Sequence, residues 1–258
     1  MTGTTRDLLQ HPEPGDRWLV AVAHPDDESF GCGSTIAHAT TRGAEVTVVC
    51  ATRGEAGEPA AELPHGTDLG SVREVELRRA AGHLGVARLE LLGYRDSGFD
   101  GACGPGALCS APVDELAVVL GRLVEEIGPD VVVVLDGSDG HRDHLHVRAG
   151  MRAALAGSQG PALYEHCLPN SLLRRWLDEM RSVRPDTAYH GLDPATLGRA
   201  DEDVTDVLDT TAVLDRREAA MAEHRSQTSP FDGLSADLRR AFLTADHLAR
   251  VDLSDHHA

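Results

Sequence analysis

The chain contains no lysine; all 24 of its basic residues are arginine. That absence removes three catalytic devices at once: a P-loop lysine on a nucleotide phosphate, a Schiff-base lysine and a serine–lysine dyad. Positive charge is scarce altogether. Against 42 acidic residues the formal net charge is −18, and so acidic a surface repels phosphate backbones, which argues against nucleic acid as a partner. No apolar run approaches the roughly 20 residues of a membrane span. The opening "MTGTTRDLLQHPEPGDRW" lacks the basic start and apolar middle of a signal peptide, so a cytoplasmic protein with no membrane partner is expected. Cysteine is sparse and odd in number: Cys32, Cys50, Cys103, Cys109 and Cys167 form no CxxC pair. Reduced thiols are therefore the expectation, with Cys103 and Cys109 the one pair close enough in sequence to meet. No G-x-S-x-G occurs, which leaves serine-hydrolase chemistry without support.

What is present is a repeating pattern. "RWLVAVA" (Arg17–Ala23), "EVTVVCAT" (Glu45–Thr52), "RLELLGY" (Arg88–Tyr94) and "DVVVVLD" (Asp130–Asp136) read as strands. Between them, helices are expected over about 28–42, 71–86 and 113–127, the second from the spacing of Val72, Val75, Leu77, Ala80 and Leu84. Nearly continuous Val, Leu and Ala in strands that alternate with helices predict an α/β, Rossmann-like fold. Its sheet is mostly parallel and twisted, with helices on both faces. Later segments are less periodic: a helix near 169–183, a strand near 203–210 and a helix over Ala212–Gln227. No repeat, linker or composition shift divides the chain, so a single domain over 1–258 is expected, and a homo-oligomer is compatible with it.

Ligand sites in such sheets lie beyond the carboxyl ends of the strands. There the first strand stops on "AHPDDE" and the Asp130–Asp136 strand runs into "GSDGHRDH". Buried acids next to a core need compensation, which a divalent cation supplies. His24, Asp27 and His144 offer imidazole nitrogen and carboxylate oxygen, a donor set suited to Zn2+ with one position left for water; another divalent metal such as Fe2+ fits the same donors. Asp26, adjacent but unligated, would act as general base, and His141 as general acid or oxyanion partner. Asp143 would orient an imidazole from behind.

Several motifs converge with these clusters. "AHPDDE", "TRGEAGE" (Thr52–Glu58), "VREVELRRAAGHLGV", "GYRDSG" (Gly93–Gly98), "HRDH" (His141–His144) and "AAMAEHRSQ" (Ala219–Gln227) resemble the PIG-L/LmbE-like zinc-dependent N-deacetylases. Matching segments run from about 17 to 227 and leave 228–258 as a C-terminal extension. The resemblance implies metal-dependent removal of an N-acetyl group from an N-acylated amino sugar. The same metal ligands, base and His141 role follow from it, and it adds Arg73 and Asp96 as sugar-binding residues. From the residues alone, Arg73 reads as a solvated helix position and Asp96 as a turn residue. Two departures from the family pattern stand out. Arg142 replaces a usual proline, placing a mobile cation at the mouth, and Asp139 occupies a position that is tyrosine in members acting on the inositol conjugate. An amidase for another N-acyl metabolite, such as a mycothiol S-conjugate, is the alternative. A nucleotide-binding module is a distant one, suggested by "GCGSTIA" (Gly31–Ala37), although its glycines follow the strand too late and the third is missing.

Overall fold

A computed structural model describes residues 6–60, 63–183 and 191–254. Seven strands, β1 (Arg17–Val22), β2 (Glu45–Thr52), β3 (Arg88–Tyr94), β4 (Val131–Leu135), β5 (Ala162–Cys167), β6 (Asp206–Asp209) and β7 (Ala245–Arg250), form one sheet in the order β3-β2-β1-β4-β5-β7-β6. All neighbouring pairs from β3 to β5 are parallel, whereas β7 runs antiparallel to both β5 and β6. The α/β, mostly parallel architecture is the one expected. The strand order reverses direction between β1 and β4, and a crevice opens at the carboxyl ends of such a pair.

Period-two alternation explains why both faces are apolar. Trp18, Val20 and Val22 of β1 join Val46, Val48, Val131 and Val133 on one face. That face is covered by Ile36 and Ala37 of α2 (Gly33–Thr41), Leu77, Ala80 and Leu84 of α3 (Leu69–Leu84), and Ala220 of α7 (Leu214–Met221). Leu19 and Ala21 point the other way with Val49, Val132 and Val134, beneath α4 (Val113–Ile127) and α5 (Arg142–Leu155), which contribute Leu116, Leu120, Val147 and Met151. A third apolar cluster joins α6 (Asn170–Val183) to α8 (Ala236–Leu243) through Leu173, Leu177, Leu238 and Phe242.

Four expectations change. The helix anticipated from Glu28 to Arg42 is broken at Gly31–Cys32, which leaves the single turn α1 (Asp27–Phe30) ahead of α2. A side chain at Gly31 would meet the Asp27 carbonyl at 2.8 Å and Leu135 at 2.9 Å, and one at Gly33 would meet Arg217 at 3.1 Å. These glycines are accounted for by close packing, which takes from the nucleotide-binding alternative the motif that suggested it. In α3 the buried face is Arg73, Glu76, Leu77, Ala80 and Leu84, whereas Val75 is exposed. The helix expected over Ala212–Gln227 ends at Met221, and beyond it His224 and Ser226 are buried. Finally, Cys103 and Cys109 are paired as a disulfide, their Cα atoms 6.0 Å apart, within the reach such a bond needs. The stretch beyond 227 carries α8 and β7, so it completes the sheet rather than trailing from it. Among the described residues, no helix is long and apolar enough to cross a membrane.

Candidate active site

At the end of β1 the chain turns through Pro25 into α1, and Asp26 takes φ 114°, the one positive φ of a non-glycine residue among those described. Such a conformation is sterically unfavourable and persists where surrounding contacts over-determine it, commonly at functional sites. Those contacts are present. Glu28 accepts the Asp26 backbone N–H at 2.8 Å, and Arg73 donates to the Pro25 carbonyl and to Asp26 Oδ2 (2.9 Å for the carboxylate). The Asp27 carboxylate folds back, Oδ2 accepting the N–H groups of Ala23 (3.1 Å) and His24 (2.8 Å).

His24 and His144 meet across the β1/β4 junction, their ring centroids 5.3 Å apart. His24 Nδ1 lies 3.6 Å from Asp27 Oδ2, and His144 Nε2 lies 3.2 Å from Asp27 Oδ1. Each ring is held from behind by a carboxylate: His24 Nε2 by Asp143 at 3.2 Å and Asp96 at 3.5 Å, His144 Nδ1 by Asp139 at 2.7 Å. These contacts favour N–H on the far nitrogens and turn the near ones, as lone-pair donors, toward Asp27. His144 Nε2 is buried without a hydrogen-bond partner, and a bound cation would satisfy it. The donor chemistry of His24, Asp27 and His144, two imidazoles and a carboxylate, suits a divalent metal. His141 stands beside them, its ring 4.5 Å from His24 and 5.0 Å from His144, and the nitrogens of these three histidines form a group compact enough to surround an ion.

Electrostatics point the same way. Asp27, Asp96, Asp139 and Asp143 crowd the two rings with no arginine ion-paired to any of them among the described residues, and Arg73 pairs with the adjacent Asp26. Burial alone would depress the His144 imidazole; Asp27 and Asp139 overcome it and push the pKa up to about 10. His24 is likewise raised, burial being outweighed by Asp143, Asp27 and Asp96. Asp26 is pushed up to about 6, chiefly by desolvation against the opposing pull of Arg73. His141 falls to about 4 because burial and the neighbouring His24 and His144 disfavour its charge.

Some residues stand differently from the sequence reading. Arg73 is not solvated: it is 3% exposed, and its guanidinium also donates to the Gly54 carbonyl at 2.7 Å. This explains the glycines of "RGEAG", since a Cβ at Gly57 would come within 2.7 Å of that guanidinium. The Asp96 carboxylate accepts backbone N–H bonds from Gly98 (2.8 Å) and Ala56 (3.2 Å) besides facing His24, so it braces a ring as well as a turn. Arg142 is no mobile cation: its guanidinium donates to the carbonyls of Ser97, Gly98, Asp100 and Gly101. Missed altogether were the partners behind Asp26. Glu28 is fully buried and accepts from Ser29 Oγ and from His224 Nε2, each at 2.6 Å. Ser226 donates to Glu76 of α3 through both N–H (2.9 Å) and hydroxyl (2.6 Å). The motif "EHRSQ" was the available signal, because its polar residues follow directly on an amphipathic helix.

The sequence profile of PIG-L, described as GlcNAc-PI de-N-acetylase, matches residues 19–155. The chain belongs to the PIG-L family. It is 35% identical to the 1D-myo-inositol 2-acetamido-2-deoxy-alpha-D-glucopyranoside deacetylase of Geodermatophilus obscurus, the alignment covering 92% of each protein. In fold it is similar to the N,N'-diacetylchitobiose deacetylase of Pyrococcus horikoshii, with a TM-score of 0.60 and 23% identity over 92% of this chain and 84% of that one. It is equally similar to GalB, the 4-carboxy-2-hydroxymuconate hydratase of Pseudomonas putida, with a TM-score of 0.61 and 20% identity over 94% of this chain and all of that one. A deacetylase and a hydratase share the architecture, so fold alone does not select the reaction.

Proposed function

We propose that this PIG-L protein is a cytoplasmic zinc-dependent N-deacetylase that hydrolyses the acetamide of an N-acetylated amino sugar to acetate and the free amine. The observation that carries the reading is the division of labour within "HPDD". Asp27 faces both His24 and His144, while Asp26, alongside, is turned away onto Arg73 and keeps a carboxylate for proton transfer. His24, Asp27 and His144 would hold the ion; when bound, zinc polarises an amide carbonyl and acidifies water at neutral pH.

The chain's own groups do the rest. Asp26 accepts a proton from the attacking water as the new C–O bond forms at the carbonyl carbon. Its pKa near 6 keeps it ionised at neutral pH and still basic enough for that task. Arg73 holds that carboxylate in place. His141 Nδ1 accepts the Asp143 backbone N–H at 3.2 Å, which leaves Nε2–H as the donor of a neutral ring. Between general acid and oxyanion partner, this favours a hydrogen bond to the developing oxyanion. The C–N bond then breaks, and the proton held by Asp26 passes to the departing nitrogen. Arg73 and Asp96 are engaged by protein partners, so they serve the reaction by holding Asp26 and His24.

The test is acetate release from a panel of N-acetylated amino sugars, with and without chelator. Activity should vanish on chelation and return with zinc, and Asp26→Ala should lower kcat by about 10²–10⁴-fold with the metal content unchanged. A chelator-insensitive activity, or a fully active Asp26→Ala variant, would overturn it.

A further inference from the structure

Phe99 is 61% exposed and sits at the mouth of the site. The other three phenylalanines behave ordinarily: Phe30, Phe231 and Phe242 pack in series, with ring centroids 6.2 and 5.6 Å apart. Phe99 instead makes an edge-on contact with His141, its ring centroid 5.6 Å away and the planes at 76°, and its tip is 4.0 Å from where a Cβ on Gly140 would stand. The side chain therefore spans from the loop after β3 to the loop that delivers His141.

Its position is fixed by an unusual amount of structure for an exposed residue. Arg142 grips the carbonyls on both sides of it, Ser97 and Gly98 before and Asp100 and Gly101 after. The Ser97 N–H donates to Asp143 at 3.0 Å, the Ser97 hydroxyl accepts the Cys109 N–H at 3.0 Å, and Cys103–Cys109 closes the same loop. A glycine-rich segment that would otherwise be mobile is locked down around one aromatic ring. The same contacts brace His24 through Asp96 and Asp143, but nothing in the apolar core receives the ring, which is left facing outward beside His141. Rigid, pre-positioned apolar surface beside a polar reaction centre is how binding sites gain affinity without paying an ordering penalty.

We infer that Phe99 is a specificity-determining residue on which a pyranose ring stacks while its acetamide reaches His141 and Asp26. The axial C–H bonds of a pyranose carry partial positive charge and pack against the negative face of an aromatic ring. The inference deepens the deacetylase reading and depends on it.

Phe99→Leu and Phe99→Tyr separate the possibilities, with acetate release from N-acetylglucosamine and its 1-O-glycosides as the readout. Losing the ring should raise KM about tenfold with kcat within about twofold, the size expected for one aromatic contact. Phe99→Tyr should restore KM, and melting temperatures should stay put because the residue is exposed. An active wild type whose Phe99→Leu variant keeps its KM overturns this inference alone, as does a variant that loses kcat at constant KM, since Phe99 would then act by positioning His141. A wild type silent on every N-acetylated sugar overturns the deacetylase reading, and this inference falls with it.

Discussion

Arg217 offers the sharpest test of how the site is supported from a distance. It is one of the largest fully buried side chains among the described residues. Its guanidinium reaches the carbonyls of Ser29, Phe30, Gly31 and Phe242, the Ser34 hydroxyl at 3.1 Å, and Asp246 at 3.1 Å. Three of those carbonyls close α1, the turn that presents Asp26 and Asp27. Burial pushes the Asp246 carboxyl up, but Arg217, the His166 ring 3.8 Å away and the hydrogen bonds of Thr35 hold it well below the usual range. Replacing Arg217 with Met keeps volume and leaves Asp246 charged and buried. Breaking such a pair from one side costs about 3–5 kcal/mol. Thr35 still donates to Asp246 through N–H (2.8 Å) and hydroxyl (2.7 Å), so the lower half of that range is expected, about 3–4 kcal/mol. For a chain of this length that corresponds to a drop of about 10 °C in Tm. Urea titration followed by circular dichroism measures it, and the double variant Arg217→Met/Asp246→Asn should recover at least half of the loss, because the uncompensated charge goes with it. The sign with pH is fixed as well. The depressed Asp246 pKa stabilises the wild type above the unfolded carboxylate value and that contribution fades as pH falls through the folded one. In Arg217→Met the folded pKa rises, so the stability gap to wild type should narrow in acid. A single-variant loss below about 1 kcal/mol, typical of exposed pairs, would refute the reasoning.

Other consequences are more local. Asp139→Asn should weaken zinc binding about 10–100-fold, as loss of a carboxylate behind a ligand imidazole does; competition with a chromogenic chelator reads it. Gly150→Ala gains about 1 kcal/mol of helix propensity, but the new Cβ would meet Leu116 at 2.8 and 2.9 Å and Leu120 at 3.3 Å. Overpacking costs about 1–3 kcal/mol, so calorimetry should show net destabilisation. Glu165 is fully buried; desolvation pushes its carboxyl up, and hydrogen bonds from Arg152 and Arg148 bring it below the ordinary value. Its stabilising contribution is complete above the unfolded pKa of about 4.3 and lost as pH falls through the folded one, so Glu165→Gln should flatten the acid limb of a Tm-against-pH curve.

Where an element is bounded by its own residues, the sequence was enough. β2, β3 and α4 occupy the expected spans, Glu45–Thr52, Arg88–Tyr94 and 113–127, because alternating or fully apolar runs end there on glycine, proline or charge. The crevice followed equally well: two polar clusters at the ends of β1 and β4 can only meet if those strands are neighbours, and they pair in parallel register from Trp18–Val131 to Ala21–Val134. What the pattern hid are polar residues facing inward. Arg73 and Glu76 fall on the buried side of α3 although their chemistry says solvent. Their partners, Asp26 and Ser226, are 47 and 150 residues away, and no local periodicity encodes a contact at that range.

The same cause accounts for the broken helix and for the weight carried by the tail. From Glu28 to Arg42 the spacing is compatible with continuous helix, and only a third body interrupts it: Arg217 takes the carbonyls of Ser29, Phe30 and Gly31 that would otherwise need the next turn. Arg217 can be buried there because Asp246 of β7 neutralises it, and β7 is in place because it pairs with both β5 and β6. The chain beyond 227 is therefore mechanically connected to "HPDD" through one buried ion pair. Truncation before β7 should abolish activity by releasing α1, even though it removes no residue that faces the metal site.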